Sequence, residues 1–157
     1  MLDFRGTRVL VVGGSSGIGL AVAGAAAGQG ALVVIAGRTE ARLRTAAEEL
    51  GGGVEARVLD ASDPGAADAF FAPGPAYDHV VVTAAAFRSG PVRELPLETA
   101  RAVFDSKFWA SYNVARAAAI APNGSLTLVS GVASVRFSKG RAVVSAAAAA
   151  VAAGSRG

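Results

Sequence analysis

The chain has no cysteine and only one histidine, His79. It therefore has no disulfide framework and no thiolate or histidine-rich metal centre, and no metal ligands are expected. Aromatic residues make up only 6% of it, and the arginines are scattered rather than clustered. With a net charge of just +3, no basic patch interleaved with aromatics offers itself to nucleic acid. No apolar stretch runs free of glycine and charge for long enough to span a bilayer. The opening MLDFRGTRVLVV has no basic region followed by a cleavable apolar core. These absences point to the cytoplasm, with neither a membrane nor a nucleic acid as partner.

What remains is an apolar, lightly charged chain of 157 residues, 52% apolar and 17% charged. That composition belongs to a folded domain rather than a disordered one, and the length suits one domain, expected over residues 1–157. Apolar runs alternate with helical patterns. RVLVV (8–12), ALVVIA (31–36), VEARVLD (54–60), DHVVVTAA (78–85) and GSLTLVSG (124–131) read as strands. Helices are expected over 17–28, over 39–50 with Thr39 as N-cap, after Ser62-Asp63-Pro64, over most of 97–119, and from about Arg141 onward. Parallel strands need crossover helices, so this alternation predicts an α/β fold: a doubly wound parallel sheet of the Rossmann kind, with five strands and flanking helices.

The first strand runs into VVGGSSGIG, residues 11–19. Gly13, Gly17 and Gly19 stand where it hands over to the first helix. Glycine there permits a tight turn and close approach of a pyrophosphate to the backbone. The free N–H groups and positive end of the helix then face the phosphates. The spacing G-x-x-x-G-x-G differs from the common dinucleotide fingerprint. VVGGSSGIGLAVA resembles the cofactor loop of the short-chain dehydrogenase/reductase family, although Val12 replaces the usual threonine. Ser15, Ser16 and Ile18 match residues that line the pyrophosphate in that family. The likeness runs from about Thr7 to Val151. The family's sixth and seventh strands and its substrate lid have no counterpart.

The resemblance implies a nicotinamide cofactor. In NAD-binding folds, an acidic residue about 20 positions past the glycines bonds the ribose 2′-hydroxyl. Here the second strand ends IAGRTE, with Gly37 at the acidic position and Arg38 after it. A guanidinium grips a 2′-phosphate that a carboxylate would repel, so NADP is expected, with NAD second. By resemblance, Asp60 and Ala61 sit at the adenine, unless Asp60 merely shapes a turn. Thr83, Ala84 and Ala85 follow Val82 where the family has Asn-Asn-Ala-Gly; the small residues survive and the asparagines do not.

The resemblance also implies hydride exchange with a small carbonyl or alcohol substrate. The family uses a serine to hold the substrate oxygen and a tyrosine as proton donor. A lysine four residues on lowers the tyrosine pKa from near 10, and an asparagine on the long helix completes a relay. Ser130, ending TLVSG, matches the serine, unless it only bonds backbone at its strand end. Val144 and Ala148 stand at the tyrosine and lysine positions, and no tyrosine follows Ser130. Lys107 takes the asparagine position, placed either to reach toward the ribose or to sit in solvent. The expected catalytic residues are therefore Ser130 and Lys107. Either the chain binds nucleotide without ordinary turnover, as a regulatory protein would, or the sequence is incomplete toward its C-terminus. Phe104, Phe108 and Tyr112 recur every four residues on the long helix, which the family commonly pairs across a dimer axis. The stripe faces either a second copy, making a homo-oligomer, or the chain's own sheet.

Overall fold

The structure, a computed structural model, describes residues 4–72 and 74–154. The ends of the domain expected over 1–157 lie outside the described residues. Five strands form one sheet in the order β3-β2-β1-β4-β5, every neighbouring pair parallel. They are β1 (Arg8–Val12), β2 (Leu32–Gly37), β3 (Glu55–Val58), β4 (Tyr77–Val82) and β5 (Ile120–Leu128). Helices α1 (Gly17–Ala27), α2 (Glu40–Leu50), α3 (Pro64–Phe71), α4 (Leu97–Phe104), α5 (Ala110–Ala117) and α6 (Ala142–Gly154) connect or follow them. This is the Rossmann-like doubly wound fold. No helix among the described residues is long and apolar enough to cross a membrane.

Side chains alternate across a strand, and β1 uses both faces. Val9 and Val11 pack with Val33 and Ile35 of β2 against Ala23 of α1 and Leu43 and Ala46 of α2. Leu10 and Val12 pack with Val34, Val80 and Val82 against Phe70 and Phe71 of α3 and Val114 of α5. That two-sided burial explains why the strand reads as a continuous apolar run.

Several element bounds differ from the sequence expectation, among them the end of β4, which lies at Val82 rather than 85. The strand expected over 54–60 closes at Val58, because Asp60 turns the chain: its Oδ1 accepts from Ser62 N and Ser62 Oγ. β5 starts at Ile120 rather than 124. Pro122-Asn123-Gly124 reads as a turn, yet the segment stays paired with β4 across a register shift, with Asn123 at φ 66°. Such a bulge inserts extra residue without ending the pairing. The long helix is not uniform either. Asp105–Trp109 widens to a π turn between α4 and α5, and Ala110 N bonds to Asp105 O. At the start of α3 Asp63 accepts from Gly65 N and Ala66 N, with Pro64 next, whereas Thr39 stands at the N-cap position of α2 without a side-chain cap bond.

Candidate functional site

The sheet order reverses between β1 and β4, whose crossovers leave in opposite directions. In open α/β sheets the ligand crevice opens at such a point, beyond the carboxyl ends of the strands. A groove of about 520 Å³ lies there. Its floor is the turn after β1. Gly13 has φ +89°, and a Cβ on it would stand 2.7 Å from Ala84 N. A Cβ on Gly19 would collide with Gly13 O. Strand, turn and helix are thus pressed together at a distance only glycine allows. Thr83 Oγ1 ties the two central strands by donating to Val12 O and Gly13 O.

The turn's other side is open. A Cβ on Gly17 would meet nothing within 4 Å. Ser16 is the N-cap of α1, and its side chain caps nothing, so the first-turn N–H groups are left without a side-chain partner. A helix start in this state accepts an anion. Gly13, Ser15, Ser16, Gly17, Ile18 and Gly19 all line the groove.

The remaining expected residues converge on the same groove from five other segments. Arg38 follows β2, Asp60 and Ala61 follow β3, and Thr83, Ala84 and Ala85 follow β4. Lys107 comes from the π turn and Ser130 from the end of β5. Asp60 combines the two readings given for it. Its Oδ1 holds the turn through Ser62, and its Oδ2 has no partner among the described residues. These features fit a nicotinamide dinucleotide: an open cradle at Gly17, an uncapped helix start, a carboxylate oxygen and an arginine along one groove.

The substrate end is different. Ser130 Oγ donates to Ala148 O of α6 at 2.7 Å, so it ties strand to helix rather than bonding backbone of its own strand end. Lys107 is not the solvated lysine of the second reading. It is 6% exposed, and its Nζ donates to Val129 O at 2.6 Å. Burial lowers the amine below its ordinary pKa of 10.5, because desolvation disfavours the charged form. The π turn brings it there, and its flanks are pinned by Ser106 Oγ, which accepts from Ala86 N, and by Ser111 Oγ, which donates to Lys107 O. Such wide turns occur often at functional sites. Val144 and Ala148 line a smaller cavity of about 260 Å³ that shares Lys107, Ala85 and Phe87 with the groove. At the positions where the resemblance implies an acid and a lysine, Val144 and Ala148 present only hydrocarbon.

Sequence reasoning missed two residues here. Asn113 is buried and donates through Nδ2 to Ala61 O and Ser62 O, fastening the loop after β3 to α5. Its helical spacing beside Ala110 and Val114, both buried, marks a polar group on an apolar face and could have shown it. Arg42, in the first turn of α2, lines the groove four residues after Arg38. The aromatic stripe is half covered. Tyr112 and the adjacent Trp109 are 50% and 46% exposed, and Phe108 stacks on Tyr112 at 6.3 Å between ring centres.

Comparisons with known proteins agree with this geometry. The family model for short chain dehydrogenase matches residues 7–156. D-erythrulose reductase of Gallus gallus is 35% identical over 115 residues, covering 73% of this chain and 46% of that protein. The 1-deoxy-11-beta-hydroxypentalenate dehydrogenase of Streptomyces avermitilis is 40% identical over 127 residues, covering 74% and 46%. The chain thus spans about half the length of these curated relatives. A solved short chain dehydrogenase/reductase family protein superposes with a TM-score of 0.91 at 28% identity, covering 99% of this chain and 68% of that one. Fold, glycine turn and family model converge: the chain belongs to the short-chain dehydrogenase/reductase family of oxidoreductases, which use nicotinamide cofactors.

Proposed function

We propose that the groove binds NADP(H) in preference to NAD(H), as the nucleotide-binding part of an oxidoreductase acting on a small carbonyl or alcohol. The observation that carries this reading is the end of β2. Gly37 and Arg38 line the groove there with a guanidinium and no carboxylate, and Arg42 stands four residues further on. Neither arginine has an ion-pair partner among the described residues. A 2′-phosphate would meet two unpaired cations.

When bound, the cofactor supplies or accepts the hydride. The chain's own residues do the rest. The first turn of α1 receives the pyrophosphate, and Asp60 and Ala61 flank the adenine. Ser130 orients the substrate oxygen by exchanging its bond to Ala148 O for one to the ligand, beside the amine of Lys107. Calorimetry with both nucleotides tests the preference. NADPH should bind roughly 10- to 100-fold more tightly than NADH, the worth of one charge-assisted contact of about 1.5–3 kcal/mol, toward the lower end because Arg38 is exposed. Arg38→Ala should cut the preference; equal affinities in the unaltered chain, or an unchanged preference in the variant, overturn the reading.

The partly exposed aromatic cluster of Phe108, Trp109 and Tyr112 supports a second copy of the chain as partner, making a homo-oligomer. Aromatic side chains of this kind anchor interfaces. Light scattering at micromolar concentration should give a multiple of 15.5 kDa. Trp109→Ser with Tyr112→Ser should return it to that unit mass, and a monomer mass for the unaltered chain rejects the assembly.

A further inference from the structure

The smaller cavity carries a charge that the fold leaves unanswered. Buried Lys107 lines both this cavity and the groove, and exposed Arg141 lines the cavity from the residue before α6. No aspartate or glutamate lines it. The rest of its wall is mostly apolar, with Phe87, Val103, Val132 and Val144. Lys107 donates one hydrogen bond, to Val129 O, and an ammonium has further N–H groups to give. Neither Lys107 nor Arg141 has an ion-pair partner among the described residues. A buried cation with no counter-charge is costly unless something supplies one.

We propose that this cavity binds a small organic carboxylate, its charge met by Lys107 on the inside and Arg141 at the rim, beside the nucleotide groove. The two cations and the missing acid set the sign of the ligand. The apolar wall makes it an organic anion rather than a bare inorganic one, because hydrocarbon gains from covering hydrocarbon and offers phosphate nothing. At about 260 Å³ the space suits a molecule of few atoms. It meets the groove at Lys107, so a bound carboxylate would lie within reach of Ser130 and the cofactor end of the groove. That the carboxylate is a substrate rests on the proposed reading of the groove; that it binds here does not.

The chain has two lysines, Lys107 and Lys139. Labelling lysine with ¹³C at Cε therefore gives two signals, one from inside the cavity and one from the exposed loop. Butyrate and 2-oxobutyrate are titrated at constant ionic strength against butyramide, 2-butanone and inorganic phosphate. The carboxylates should move the Lys107 signal saturably, with the neutral analogues and phosphate bound at least about tenfold more weakly, the scale of one charge-assisted contact. Arg141→Met should weaken butyrate about tenfold on the same basis. Arg141 is exposed, so this variant folds even where Lys107→Met does not. Equal responses to butyrate and 2-butanone, phosphate binding as tightly as butyrate, no movement of the Lys107 signal, or unchanged affinity in Arg141→Met each overturn the site. NADPH calorimetry on the same sample separates the two readings: intact NADPH binding with no carboxylate response sinks this proposal alone, and the reverse result sinks the nucleotide reading alone.

Discussion

The turn after β1 and the inner face of α6 flank one continuous space, yet they hold their family's features in opposite ways. In the turn the essential property is backbone shape. Gly13 and Gly19 are packed so closely that no side chain fits, and every expected cofactor-binding residue lines the groove. On α6 the essential property would be side-chain chemistry, and Val144 and Ala148 offer none. Both positions line the smaller cavity. On the proposed reading, binding by backbone and catalysis by side chain would be separable here: α6 packs through Ala147, Ala148 and Val151, all buried, with no acid at position 144.

The largest expected effect tests that separation. Losing positioned acid–base catalysis typically costs 10²–10⁴-fold. Carbonyl reduction by this chain should therefore run roughly 10²–10⁴-fold below that of a relative bearing both the tyrosine and the lysine. NADPH consumption over a panel of ketones, quinones and aldehydes measures it. Turnover near the common enzyme value of about 10 s⁻¹ would show that another group protonates the substrate, and the contrast between the two regions would collapse.

The next effect lies within the glycine turn itself. Gly19→Ala drives a Cβ into Gly13 O and Thr83 Oγ1. The backbone must shift, at a cost of about 1–3 kcal/mol, as in other overpacked sites, and nucleotide affinity should fall with it. Gly17→Ala meets no neighbour and suffers only its φ of +54°, a penalty of about 1 kcal/mol. Chemical denaturation should rank Gly19→Ala as the more damaging to stability, while NADPH titration should show weakened binding in both, since a Cβ at position 17 would stand in the proposed phosphate cradle. The opposite ranking would mean that the turn is held by conformation and not by close approach.

The same contrast explains what could be read from the sequence. β1, α1, α2 and the capped start of α3 are legible because their signals are local: a β-branched run, a glycine turn, an Asp-Pro pair. The groove is legible because strand ends in this fold converge, so a position after a strand is already a position at the site. The bulge that keeps Asn123 and Gly124 in β5 is not legible, since only pairing with β4 distinguishes it from a turn. Nor is the π turn, which no residue type marks. The burial of Lys107 has a faint signal, for it shares helical spacing with Val103, Ala110 and Val114, all buried. The side cavity has none: Phe87, Val132 and Arg141 come from segments that meet only in three dimensions.

The smallest effect concerns that buried amine, and its sign follows from linkage. An unfolded chain holds the Lys107 proton up to its ordinary pKa of 10.5; in the fold, desolvation lowers it. In the window just below 10.5 the unfolded state therefore binds more protons than the native state, and stability rises with pH there. Below the lowered value both states are protonated, and the fold bears the full cost of the buried charge. In Lys107→Met the contribution is absent, while every other group is common to both proteins and cancels. The stability of the unaltered chain relative to Lys107→Met should accordingly climb as pH rises from neutral toward 10.5. Urea denaturation of both proteins along that range measures it. A fall instead of a rise would reveal an anionic partner holding the amine protonated in the free protein, and the counter-charge now assigned to a ligand would then belong to the chain itself.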